Sequence, residues 1–224
     1  MRNETTRLPT DERRALTIET VVALAAESNP SEITTTAIAE RMQLTQGALF
    51  RHFPTKDAIW EAVIGWASER LLSGTEGAVQ GAASPLAALE AVFMAHIEFV
   101  SKHPGVPRMM FGELQRTQGS PAKRVAQEMM RRYGKRVQLL IEQGKLQGEI
   151  APQVDAPTAA MLFIGMVQGL VMQAMIGGSL KSARSAAPAA FAIYRRGIEQ
   201  DRSATGDASA PPEVAHAPAR RGSR

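Results

Sequence analysis

Between Thr34 and Lys56 the chain starts, stops and restarts helix, and this cadence restricts the fold more than any other feature of the sequence. Thr34-Thr35-Thr36 offers N-cap oxygens for a short helix through Ala37-Ile38-Ala39-Glu40-Arg41-Met42. Gln43-Leu44 leaves room only for a tight turn. Thr45 is a second cap, opening a short helix Gln46-Gly47-Ala48-Leu49-Phe50-Arg51-His52. Pro54-Thr55 interrupts again, and Thr55 caps a longer helix from Lys56 to about Leu72. A helix from about Pro9 or Thr10 to Ser28, stopped by Asn29-Pro30, precedes the pair. Two short helices across a tight turn, packed on a preceding helix, make a helix-turn-helix. Ile38, Ala39, Leu44, Leu49 and Phe53 are its inward residues.

A helix-turn-helix places its second helix in the major groove, N-terminal residues against the base edges. The side chains there suit that task. Gln46 can pair bidentately with adenine, and the Ala48 methyl can meet a thymine methyl. Gly47 permits close backbone approach. Thr35, Thr36 and Thr45 bring hydroxyls and helix-N-terminal amides to phosphates. His52 and Lys56, with Arg51 beside them, lie one turn further on, where the DNA backbone passes.

Bulk charge gives no such pointer. The net charge is +4, yet residues 1–72 hold 8 Lys/Arg against 10 Asp/Glu. The positive excess begins later, with 10 cations against 7 anions over residues 73–150. DNA binding at the N-terminus therefore rests on local geometry and not on a basic domain.

The run Ile38-Ala39-Glu40-Arg41-Met42-Gln43-Leu44-Thr45-Gln46-Gly47-Ala48-Leu49-Phe50-Arg51-His52-Phe53-Pro54-Thr55-Lys56-Asp57-Ala58-Ile59 resembles the DNA-binding signature of the TetR/AcrR family of transcriptional regulators. The resemblance extends from about Asp11 to Leu71; beyond it, only helix number and layout match. It implies that Thr35, Thr36, Thr45, Gln46, Ala48, Phe50, His52 and Lys56 face DNA. One departure stands out: the family often has tyrosine where this chain has Phe50, which lacks the hydroxyl that reaches a phosphate.

The remainder reads as all-α, about nine helices in total. Ser84-Pro85 opens a helix to about Lys102, Val106 to Arg116 is a shorter one, and Ser120-Pro121 starts a long one to about Gln147. Asp155 caps an apolar helix to about Ser179, and Ser185 to Gln200 forms the last. The expected organisation is a flexible arm (1–10), a DNA-binding domain (11–72), a ligand-binding and dimerisation domain (84–200) and a disordered tail (201–224) whose Ala/Pro/Ser/Gly/Arg composition cannot offset its ordering entropy.

From Ala156 to Leu180 no residue is charged, long enough to span a bilayer. Gln168, Gln173 and four glycines interrupt the run, so it reads as a helix buried between subunits, with no membrane partner. Leu162, Gly165, Gly169, Met172, Gln173 and Ile176 share one stripe, and Phe191, Tyr194 and Ile198 come from the last helix. The resemblance implies that these two helices and their symmetry mates form a four-helix dimer interface, hence a roughly palindromic operator. An apolar pocket for an unidentified small effector is expected between the 84–147 helices and the 155–179 helix. Its candidate walls are Phe93, Met94, Ile97, Met109, Met110, Phe111, Met129, Met130 and Met166, with methionine supplying adaptability.

Cysteine is absent, which excludes disulfides and thiolate chemistry. His96 and His103 lack a third ligand, so no metal and no cofactor are expected. Ser120-Pro121-Ala122-Lys123 fits S-x-x-K, but its companion motifs are missing and a helix cap explains it, so no enzyme is expected. The polar start has no apolar h-region. The expectation is a cytoplasmic, nucleoid-associated repressor, a homodimer on operator DNA released by its effector. The alternative is a helical ligand-binding or adaptor module without sequence-specific DNA function.

Overall fold

The computed structural model describes residues 9–200; the expected tail 201–224 and most of the expected arm 1–10 lie outside them. Among the described residues there are nine α-helices, one 3-10 turn and no strand beyond an isolated Ile150–Glu199 bridge. The helices are α1 (Thr10–Glu27), α2 (Thr35–Arg41), α3 (Gln46–Phe50), α4 (Lys56–Gln80), α5 (Pro85–Lys102), α6 (Gly105–Gln115), α7 (Pro121–Leu146), α8 (Ala156–Ile176) and α9 (Lys181–Ile198), with the 3-10 turn at Pro30–Glu32.

Local chemistry sets the helix starts. The side chains of Thr34, Thr45, Thr55, Ser84, Ser120 and Asp155 each accept a hydrogen bond from the amide three residues on, and each such cap is worth about 1 kcal/mol. Tertiary packing sets several ends instead. α4 does not stop near Leu72 but continues through the glycine- and serine-containing segment to Gln80. There Thr75 is fully buried, its hydroxyl donating to the Leu72 carbonyl at 2.9 Å, and Glu76 pairs with Arg136 of α7 at 2.6 Å. Glycine costs about 1 kcal/mol in a helix interior, and packing against α7 outweighs it. α9 likewise begins four residues before Ser185 and runs across Pro188, because burial of Ala183 and Ala187 holds its first turns on the core.

Two apolar cores result. The first joins α1 to α4 around Val21, Ile38, Leu49, Phe53 and Val63, and also takes in Val106 and Met109 of α6 with Ala122 and Ala126 of α7. The second fills the space among α4, α5, α7, α8 and α9 around Phe93, Tyr133, Phe163 and Phe191. α6 thus belongs to the body of the protein in sequence and to the N-terminal core in space.

Candidate DNA-binding surface and effector cavity

The turn between α2 and α3 is closed by a left-handed residue. Gln43 has φ 56°, and Leu44 N–H donates to the Ala39 carbonyl at 2.8 Å while Gln43 N–H donates to Glu40 at 3.0 Å. That pairing is a Schellman cap, usually given to glycine. Thr45 then caps α3, whose Leu49 is buried against α1 and α4.

This arrangement leaves Thr36, Thr45, Gln46, Gly47, Phe50 and Arg51 exposed, with Thr35 and Ala48 half-buried at the α2–α3 seam. α3 ends at Phe50, so Arg51 and His52 sit in the turn that follows and not within the helix. Two of the DNA-facing candidates bond each other: Gln46 Nε2 donates to Thr35 Oγ1 at 2.8 Å. Phe50 keeps 38% of its surface exposed, too much for a core residue, and so presents an apolar ring on the outer face of the helix-turn-helix. The His52 backbone carbonyl accepts from Arg14 at 2.6 Å, and that guanidinium also stacks 4.3 Å from the centre of the Phe53 ring. Lys56 is half-buried, its ammonium 3.5 Å from the Ser31 carbonyl and 4.7 Å from the Trp60 ring centre, and burial lowers its pKa from the ordinary lysine value.

A polar network, buried at Glu113 and Ser120 and exposed at Arg116 and Asp57, joins this part of the chain to the body. Glu113 of α6, 4% exposed, accepts from Ser120 at 2.7 Å and from Arg116 at 3.2 Å. Arg116 also lies 3.6 Å from Asp57 in the first turn of α4. The three residues were not singled out in the sequence, since single charges at wide spacing carry no periodic signal. Ser120 is a cap, its oxygen also donating to Glu113, which accounts for the S-x-x-K match.

On its other side α6 borders a narrow apolar cavity of about 60 Å³. Of the expected wall residues, Met110, Phe111, Met129 and Met130 line it together with Phe99, Leu114, Val167 and Val171. Phe93, Met94, Ile97, Met109 and Met166 do not. Phe93 is fully buried between Phe163 and Phe191, Ile97 is solid core, and Met109 points into the N-terminal core. Met94 and Met166 pack against the second core. Helical spacing cannot tell a cavity wall from the core one turn away.

The polar members of the cavity wall are His96 and Gln168. His96 Nδ1 lies 3.1 Å from the buried Tyr133 hydroxyl, and burial pushes the imidazole down to about 4. The same desolvation raises the Tyr133 phenol above its ordinary range. His103 stands apart from this pair, edge-on to Trp66 at 5.2 Å.

The expected dimer stripe divides. Leu162, Gly165, Gly169, Met172, Gln173 and Ile176 all lie exposed along α8, with Ile176 at 73%. Phe191, Tyr194 and Ile198 face inward instead. Phe191 stacks on Phe93 and Tyr194, and the Tyr194 hydroxyl donates to the Ala159 carbonyl at 2.9 Å. The outward apolar residue of α9 is Ile193. α8 is, among the described residues, the one helix long and apolar enough to cross a membrane, and its inner face is packed into the second core.

Comparison with known proteins matches both halves. Residues 18–63 fit the family described as bacterial regulatory proteins, tetR family, and residues 82–194 fit the tetracyclin repressor-like C-terminal domain. The nucleoid occlusion factor SlmA of Marinobacter nauticus is 22% identical over 161 residues, covering 72% of this chain and 83% of that protein. Among solved structures, the ketosteroid transcriptional regulator KstR2 of Mycobacterium tuberculosis superposes with a TM-score of 0.72 at 23% identity, covering 84% of this chain and 96% of that one. FadR from Bacillus subtilis, solved in complex with stearoyl-CoA, gives 0.73 at 16% identity, covering 82% and 98%. With a helix-turn-helix at its N-terminus and both family halves in register, this chain belongs to the TetR family and is a DNA-binding transcriptional regulator.

Proposed function

We propose that this chain is a one-component repressor that binds a palindromic operator on the nucleoid as a homodimer and leaves it when a small, largely apolar effector enters the cavity beside α6. The observation that carries the reading is the double membership of α6. Val106 packs in the N-terminal core and lines the cavity as well, while Arg116 reaches Asp57 at the start of α4. An effector that wedges against Met110 and Phe111 displaces a helix that the DNA-binding domain is built on. Coupling of about 3 kcal/mol, a hundredfold difference in affinity between the two states, suffices to empty the operator.

Dimerisation is supported by the exposed apolar stripe of α8 beside Ile193, which a second copy would cover. The reading surface supports base recognition by Gln46 and Ala48 and backbone contact by Thr36, Thr45, Arg51, His52 and Lys56.

The test is selection of genomic fragments by the purified protein, then gel shifts on the recovered site at two salt concentrations. A palindromic site bound at nanomolar affinity and lost in Gln46→Ala/His52→Ala is the expected result. Weak binding to any DNA, equally sensitive to salt everywhere, would instead favour a ligand-binding module without a target. The similarity to nucleoid occlusion factors favours a second reading, which the same selection separates. Many sites spread around the chromosome, rather than one beside a promoter, would support it.

A further inference from the structure

The apolar cavity does not end at its wall. Met130 of α7 with Ile164 and Gln168 of α8 also line a wider groove of about 600 Å³ between those two helices. Arg131 and Lys135 border that groove, and the same two side chains border a third, shallow one between α4 and α7, where Arg132 and Arg136 join them. The three spaces adjoin one another across shared side chains, in order from an uncharged slit to a basic ridge.

The ridge holds the positive excess that the DNA-binding domain lacks. Seven of the ten cations in residues 73–150 lie on α7, against two carboxylates there. Arg131 is held by Glu128 at 2.7 Å and Arg136 by Glu76 at 2.6 Å. Arg132 and Lys135 are exposed and form no ion pair among the described residues; Glu128, already bonded to Arg131, is the carboxylate whose charge Arg132 feels. The inner slit is the opposite: its polar groups are a neutral histidine and a glutamine, so an ion placed there would be buried unpaired at a cost of several kcal/mol. The connecting groove has Gly134 and Gly165 on its sides, which keeps it open to a chain. Of the α8 residues expected between subunits, only Gly165 lines it.

We propose that the effector is an anionic amphiphile: a long unbranched apolar tail that passes between Met130 and Ile164 into the slit, and a phosphate-bearing head held outside by Arg132 and Lys135. At about 60 Å³ the slit is too small for a long chain as it stands, so entry of the tail requires the unbranched side chains of Met110, Met129 and Met130 to change rotamer. The assignment rests on the reading of this cavity as the effector site. Its chemistry fits either a soluble phosphorylated thioester or a single-chain phospholipid.

Calorimetric titration of the full chain, below the micelle concentration of each probe, tests it. The probes are palmitoyl-CoA, 1-palmitoyl lysophosphatidate, methyl palmitate and free CoA. One or both phosphate-bearing amphiphiles should bind at least tenfold more tightly than methyl palmitate, and free CoA should show no binding. Whichever of the two binds more tightly identifies the source. Arg132→Ala/Lys135→Ala should remove that tenfold advantage and leave methyl palmitate unchanged, while Ile164→Trp should block every tail. Equal affinity for neutral and anionic probes, or an unchanged affinity in the double variant, would overturn the assignment. A gel shift with the same probes separates this from the repressor reading. Binding as expected with the operator still occupied would defeat the repressor reading alone. Release by methyl palmitate with no role for Arg132 and Lys135 would defeat the amphiphile alone.

Discussion

Gly105, the first residue of α6, lies directly against the carbonyl oxygen of Val22 in α1. A β-carbon there would fall inside that oxygen's van der Waals envelope and within 3.0 Å of the Ala25 methyl. Both neighbours are a backbone and a buried side chain, neither of which can swing aside. Gly105→Ala must therefore push α6 off α1, with an overpacking cost of about 1–3 kcal/mol. Urea unfolding should show that loss. Operator affinity of the folded fraction should fall as well, whereas Gly112→Ala, inside the same helix but with open space for its β-carbon, should raise stability by up to about 1 kcal/mol and leave operator affinity unchanged.

Gln43 adopts a left-handed backbone that costs a side-chain-bearing residue about 1 kcal/mol. Gln43→Gly should raise stability by several tenths to 1 kcal/mol and leave operator binding intact, since the cap bonds are backbone ones. Gln43→Val should lower it by more. Thermal melts of the three proteins side by side check the order.

If Phe50 and Lys56 face the DNA backbone as proposed, they separate two kinds of contact. Phe50→Tyr adds a neutral hydroxyl at an exposed ring, so operator affinity should rise severalfold with no change in its salt dependence. Lys56→Ala removes a cation, and the slope of log affinity against log salt should shrink by about 0.9 per half-site. Gel shifts across a salt series distinguish them.

Burial holds the His96 imidazole near 4, against 6.5 for a free one. Between those values the unfolded chain binds a proton that the folded chain refuses, so stability falls as the pH drops from 6.5 toward 4. Above 6.5 the group contributes no pH dependence. Because part of the ring opens on the cavity, the loss should be on the order of 2 kcal/mol. His96→Gln, which keeps a partner for Tyr133, should flatten the dependence of the urea midpoint over that range.

Leu162 and Tyr194 bear on the subunit contact in opposite ways. Leu162 is 59% exposed on α8, whereas Tyr194 is 9% exposed with its hydroxyl bonded inside its own protomer. Leu162→Glu should yield monomers by light scattering and weaken operator binding. Tyr194→Phe should instead cost about 1 kcal/mol of stability for the lost bond and leave the oligomeric state unchanged.

The starts of the capped helices were legible because a cap is a contact within a few residues: Thr34, Thr45, Thr55, Ser84 and Asp155 act on their own neighbours. The far end of α4 was not, because Thr75 and Glu76 are held by α7, some sixty residues away in the chain for the Glu76–Arg136 pair. The same limit governs α9. It carries apolar residues on more than one face, and nothing local decides that Phe191 and Tyr194 turn inward while Ile193 turns out. In the helix-turn-helix the spacing put Gln46 and Phe50 on the outward face, where both are exposed, but the Gln46–Thr35 bond depends on how α2 and α3 cross.

That bond has a consequence for how this protein searches a chromosome. One N–H of Gln46, the side chain that the sequence marks for adenine, is bonded to Thr35 before any DNA is present. If Gln46 is the base reader proposed above, that N–H would stay on the threonine over unrelated sequence and add little friction as the helix slides past the bases. Only a base acceptor that takes the place of the threonine oxygen, as adenine N7 can, would draw it out. On that reading, discrimination would be set by an exchange between two partners rather than by a bond gained from nothing, and wrong sites would be quick to leave.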